Sequence, residues 1–231
     1  MREIKSPEIK EISKPESENY KEIKPKNGMT PEEREAFIIS LGEGDQANDT
    51  KEPGYYNLYD ERLKCVPKME TSLGHWEGKR GESKLIPNGE EQRGIDAINK
   101  LAEKGLDGIE YKNAQPDFSK CSEATVRIEN MTENRENYMG KDGGMRYGNF
   151  TQADIKCSEK WNTEAKDGKT DWTAREIYNW RHENRCSWHE KCDRKTMELV
   201  PYEIHSYFIH SGGVSECRTR DQADAEGGFD E

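Results

Sequence analysis

Four of the five histidines in this 231-residue sequence, His182, His189, His205 and His210, fall within residues 182–210. A single core histidine is more often a hydrogen-bonded packing residue than a ligand, so the signal lies in the clustering. Neutral imidazoles hold divalent cations, and a cation so held can bind a phosphate oxygen as a Lewis acid and stabilise a departing sugar oxygen. A further imidazole, with a pKa near ~6.5 unless perturbed, takes the proton of an attacking water at neutral pH. Together these residue types suit hydrolysis of a phosphodiester with one divalent cation, and Mg, Mn, Zn and Ni are all compatible with them. His189 reads as the base, with His205 and His210 as ligands. Glu190 is either a further ligand or a catalytic group that orients an imidazole. Asp193 is either a third metal ligand or a turn residue bonding to its own backbone.

For these groups to meet, the chain must fold back on itself. Residues 185–190 read as a strand, 191–195 as a polar turn and 196–200 as a second strand. A helix over 202–211 follows, started by Pro201 and stopped by Gly212 and Gly213. His205 and His210 are five positions apart, or about 140° on an ideal helix. They share a site only if that helix is short, distorted or ended near Ser211.

Upstream, Phe150, Ala153, Cys157 and Trp161 recur at helical spacing, and Thr173 with Glu176 forms a capping box for a helix through Trp180. Residues 92–104 read as a helix with Ile95, Ile98, Leu101 and Ala102 inward. Short strands are expected at 107–111 and 124–129. The glycine-punctuated stretch 74–83 lacks a phosphate-cradling pattern and reads as a turn carrying packing aromatics.

Composition sets the boundaries. Only 31% of residues are hydrophobic against 36% charged, and the apolar ones concentrate after Tyr55, so the first part is too poor to bury a core. Residues 1–53 are expected to be a charged linker with one short helix, marked by the Thr30–Glu33 capping box and by Phe37, Ile38 and Leu41. Residues 54–231 are expected to form one domain, with its catalytic part over 172–218. The net charge of −11 disfavours simple scavenging of a polyanion. Residues 172–218, however, set Arg175, Arg181, Arg185, Lys191, Arg194, Lys195 and Arg218 against seven carboxylates. The six cysteines contain no Cys-x-x-Cys pair and read either as buried or idle thiols or as disulfide partners. No apolar run approaches membrane-spanning length and no apolar signal core follows Met1, so a soluble chain is expected.

Ser187-Trp188-His189-Glu190, Thr196-Met197-Glu198-Leu199-Val200-Pro201, Ile204-His205 and His210-Ser211-Gly212-Gly213-Val214 resemble the WHH group of the HNH/endonuclease VII superfamily. That group consists of toxin domains at the carboxyl ends of bacterial polymorphic toxins. The likeness extends through residues 108–118, 125–129, Ala153-Asp154 and Trp180-Arg181 to the 74–83 loop, about residues 70–231. It implies an α+β fold with a ββα-metal (HNH/His-Me finger) nuclease module, one divalent ion, DNA as substrate and a cognate immunity protein. It also implies secretion within a toxin system and action in the cytoplasm of a target bacterium. Two positions depart from the pattern: Glu190 stands where the group has a second histidine, and the superfamily's middle asparagine has no counterpart before Pro201. The competing readings are a non-toxin HNH nuclease or RNase, and a non-catalytic ββα module in which His189, His205, His210 and a carboxylate or Cys192 hold structural zinc.

Overall fold

The computed structural model describes residues 54–69 and 71–226. The expected linker, the helix after Thr30 and the boundary at residue 53 lie outside the described residues. What is described is α+β, in helices and small antiparallel sheets. It opens with α1 (Tyr59–Lys64), followed by β1 (Gly74–Trp76), β2 (Lys84–Pro87), α2 (Gln92–Glu103), β3 (Ile109–Lys112) and β4 (Gln115–Pro116). These four strands form one antiparallel sheet in sequence order. The 74–83 stretch is therefore more than a turn. Its first residues pair with β2, Trp76 opposite Leu85, and the Trp76 ring meets Tyr111 edge-on at 4.9 Å.

Helix α2 forms where its periodicity predicts, but its buried face is Gly94, Ala97 and Leu101, while Ile95 and Ala102 are exposed and Ile98 is half-buried. The reason is close approach. A Cβ at Gly94 would lie 2.0 Å from the Asn88 carbonyl oxygen and 3.3 Å from the Tyr207 hydroxyl, so the small residues mark the contact and the large ones flank it.

The second half comprises β5 (Ala124–Arg127), β6 (Tyr138–Met139), β7 (Met145–Arg146), α3 (Asn149–Glu164) and α4 (Ala174–Glu183), then β8 (Cys186–Glu190), β9 (Thr196–Pro201), α5 (Tyr202–Tyr207) and α6 (Gly213–Glu226). Helix α3 buries Ala153, Cys157 and Trp161 as the spacing predicts. Helix α4 starts on its capping box: Thr173 Oγ1 accepts from Glu176 N, and Glu176 Oε2 accepts from Thr173 N.

Strands β5, β9 and β8 form a sheet with β9 in the centre, and it divides two cores. Alternation along the strands sends Ala124, Val126, Trp188, Met197 and Leu199 to one core, with α3 and α4. Val200 belongs to the other core, with Phe118, Ile204, Tyr207 and Phe208. All six cysteines are free thiols, five of them buried. Among the described residues no helix is long and apolar enough to cross a membrane.

Candidate metal centre

Strand β8 is registered on β9 over five residues, from Cys186 opposite Pro201 to Glu190 opposite Met197. Its anchor is Trp188, which is fully buried and donates from Nε1 to Asp154 Oδ1 at 2.8 Å. The same carboxylate accepts from Arg181 Nε at 3.1 Å, and both partners of this ion pair are buried. Three separated pieces of the sequence, Asp154, Arg181 and Trp188, thus form one network that fixes the strand. Burial raises the Asp154 carboxyl pKa, and the bonds from Trp188 and Arg181 oppose that rise. With Trp188 held on one face, His189 is turned to the other.

Pro201 starts α5, as expected, and His205 lies in its last turn. The helix does not run to Ser211. It ends at Tyr207, where Phe208 leaves helical geometry with φ −83° and ψ 79° and buries its ring in the core. His210 therefore sits beyond the helix end, and the 140° separation does not apply. Beyond the helix end the carbonyls of the following segment are taken by other elements: Tyr111 Oη donates to Ile209 O at 3.2 Å, and Gln115 Nε2 donates to Ser211 O at 2.7 Å.

Gly212 and Gly213 do not stop α5; they lie at the start of α6, against the end of β8. A Cβ on Gly213 would fall 2.4 Å from the Lys191 carbonyl oxygen and 2.8 Å from Met131 Sδ. A Cβ on Gly212 would fall 3.0 Å from the Glu190 carbonyl oxygen. The pair lets the segment carrying His210 close onto the strand carrying His189.

The result is that His189, His205 and His210 converge, with one ring nitrogen from each lying within 4.8 Å of the others. The ring centroids are 5.4 Å apart for His189 and His205, 4.7 Å for His189 and His210, and 6.0 Å for His205 and His210. His210 Nε2 approaches His189 Nδ1 to 3.2 Å. Phe118, fully buried, meets all three rings edge-on at 5.0, 5.8 and 5.9 Å, and so forms an apolar wall behind them. His189 is buried, while His205 and His210 are partly open to solvent.

Electrostatically the three imidazoles are neutral bases. Burial, with His210 and His205 beside it, holds His189 well below the ordinary histidine range. Burial and the neighbouring His210 push His205 down to about 3. Burial also brings His210 down to about 4, opposed by its bond to the Phe208 carbonyl. That carbonyl lies 2.9 Å from His210 Nδ1. It fixes the proton on Nδ1 and leaves the Nε2 lone pair facing the other rings, the arrangement a metal-ligating histidine needs. In a tetrahedral site with bonds of about 2.0–2.1 Å, ligand nitrogens stand roughly 3.3 Å apart. The closest pair here already meets that separation, and the widest exceeds it by on the order of an ångström or so, within the reach of small ring shifts. The donor set suits one divalent cation.

Glu190, next to His189 in the strand, is buried. Its Oε1 accepts from Arg135 Nε at 3.1 Å, and the Arg135 side chain is half exposed. Burial raises the Glu190 carboxyl pKa against the lowering effect of Arg135 and Asn149. Asp193 lies outside the converging group. Its Oδ1 accepts from Lys195 N and Thr196 N at 2.9 and 2.8 Å, and its Oδ2 accepts from Thr196 Oγ1 at 2.6 Å. His182 also lies apart, stacked on Tyr178 on α4 with ring centroids 4.1 Å apart.

Arg135 was missed from the sequence, because it stands in an irregular segment with no spacing signal. Backbone bonds seat that segment on the start of α3: Phe150 N donates to Arg135 O, and Asn149 N donates to Asn134 O.

Residues 108–212, a little under half of the chain, match the family described as the DNase/tRNase domain of colicin-like bacteriocin. The matched stretch runs from one residue before β3 to Gly212, and contains the three histidines, Phe118, Arg135 and the Trp188 network. It supports a nuclease toxin domain, and with it a nucleic acid substrate. No curated protein and no solved structure matches the chain.

Proposed function

We propose that this domain is a metal-dependent endonuclease of the HNH type, acting as a bacterial toxin on DNA, with one divalent cation held by His189, His205 and His210. The observation that carries the reading is the convergence of three neutral imidazoles at the end of a strand-strand-helix unit, two of them partly open to solvent. A cation bound there supplies Lewis acidity toward a phosphate oxygen and the departing sugar oxygen.

The chain's own groups divide the remaining work. His210 is locked in the tautomer that offers Nε2. His189 joins the holding set rather than serving as the free base, because its Nδ1 already faces that nitrogen. Glu190, a buried carboxylate whose pKa burial raises, accepts the proton of the attacking water. Arg135 orients that carboxylate and adds positive charge where a phosphate approaches. Phe118 keeps water from the back of the cluster. Asp193, spent on the turn, shapes the hairpin and does not join the metal set.

A structural zinc site needs a fourth protein ligand. Among the described residues the converging group has three members, and the Cys192 thiol lies 3.5 Å from the Ser211 carbonyl instead. An open position favours catalysis.

The choice of DNA, a cognate immunity protein in the producing cell, and export to a target bacterium follow from the resemblance of the Trp188-His189-Glu190 and Met197 to Pro201 motifs. The test is incubation of purified protein with supercoiled plasmid and with tRNA, each with Mg, Mn, Zn or Ni and with chelator. Nicked and linear plasmid in a cation, none in chelator, and intact tRNA are expected. Cleavage that persists in chelator would overturn the metal assignment, and cleavage of tRNA alone would overturn DNA as the substrate.

A further inference from the structure

Glu198 is the residue of β9 directly opposite His189. The backbone bonds Lys191 N to Thr196 O and Tyr202 N to Arg185 O make 189 and 198 a hydrogen-bonded pair of the ladder, with both side chains on one face. Strand β9 is buried from Met197 to Pro201, and at 198 it carries a carboxylate that is 1% exposed. Its Oε1 meets Lys191 Nζ at 3.4 Å, while Oε2 has no hydrogen-bond partner among the described residues. A buried polar atom left without a partner destabilises a fold and calls for a functional account.

The account lies across the ladder. Because the Phe208 carbonyl holds the proton of His210 on Nδ1, the 3.2 Å contact is a donation from His189 Nδ1 to His210 Nε2. In that tautomer His189 Nε2 carries no proton, and no bond joins it to Glu198 Oε2, which must turn toward the ring to accept one. Moving the one proton of His189 from Nδ1 to Nε2 frees the Nδ1 lone pair toward the other two rings and creates a donor on the far side of the ring.

We infer that Glu198 is a positioning residue: its Oε2 accepts Nε2–H of His189 and thereby fixes the tautomer in which Nδ1 is a metal ligand. This rests on the metal-holding role proposed above for the three histidines. Nothing is consumed in the step; one N–H bond is exchanged for another on the same ring.

The test uses the full chain and Zn²⁺ as probe, with affinity read by calorimetry and the His189 ring nitrogens read by ¹⁵N NMR. The zinc-loaded wild type should show His189 protonated at Nε2. Glu198→Leu should bind zinc about tenfold or more weakly, as loss of a partner behind a ligating histidine does. Glu198→Gln, which keeps an acceptor oxygen, should bind within about threefold of the wild type. Wild-type affinity in a folded Glu198→Leu, or a zinc-loaded His189 protonated at Nδ1, would overturn the inference. Should Glu198→Leu not fold, the wild-type spectrum and Glu198→Gln decide. His205→Ala separates the two levels: if it weakens zinc binding while Glu198→Leu does not, only Glu198 loses its role. If neither changes affinity, the site itself is wrong.

Discussion

Crowding three imidazoles against a phenyl ring makes protons poor competitors for their lone pairs. With His205 near 3 and His210 near 4, against about 6.5 in an unfolded chain, the unfolded state binds more protons throughout that interval. Stability therefore rises with pH across it: the contribution is fully present above about 6.5 and is lost as acid carries the pH down through the folded values. The metal-free protein should show a lower urea midpoint at pH 4.5 than at pH 7, and the drop should shrink in His205→Gln. An equal drop in both proteins would remove His205 from the effect. His189→Ala, His205→Ala and His210→Ala should each weaken divalent-ion binding in calorimetry and abolish plasmid cleavage. Glu190→Gln should keep the ion and lose cleavage, which separates holding from proton transfer. At this scale the histidines were legible because their density in residues 182–210 is itself unusual. The division of labour was not, because it depends on which ring nitrogen faces which neighbour. Arg135 and the orphaned oxygen of Glu198 were beyond reach for the same reason, since neither has a spacing signature.

Elements with a strong period, a cap or a marked turn were readable: α3 through Ala153, Cys157 and Trp161, α4 through Thr173 and Glu176, and the β8–β9 pair through the polar turn at 191–195. Where tertiary contact overrode local pattern, reading failed. Helix α2 buries Gly94 and Ala97 because Tyr207 and the Asn88 carbonyl approach there, and α5 stops at Tyr207 because Phe208 is drawn into the core. The glycine pair looked like a helix stop and is instead a contact between α6 and the end of β8. Gly213→Ala tests that account. Its Cβ would collide with the Lys191 carbonyl and Met131, so a loss of about 1–3 kcal/mol in urea unfolding is expected, with weaker ion binding because His210 is pushed off the strand. Unchanged stability and affinity would show that the contact is dispensable. Asp154→Ala, which strips a buried ion pair of one partner and Trp188 of its acceptor, should cost about 3–5 kcal/mol.

Across the whole molecule, the low apolar content of the first fifty residues predicts that they do not serve the domain. Deleting residues 1–50 should leave plasmid cleavage intact. Deleting through residue 58 should not, because Asn57 donates from its backbone and side chain to the buried Glu216 of α6 at 3.2 and 2.8 Å. Its removal leaves a buried carboxylate short of donors, and thermal unfolding of the two truncations distinguishes the cases.

The dividing sheet has a mechanical consequence. His189 hangs from the half fastened by Trp188, whereas His205 and His210 are carried by the half built around Ile204, Phe208 and Phe118. An ion gripped by all three rings would rivet one half of the domain to the other, so its removal should let the seam work loose while each half keeps its own packing. Melting temperature should then climb with the logarithm of ion concentration once the grip is saturated. Protease cuts in chelator should begin near residues 209–213, where the free end of the rivet lies.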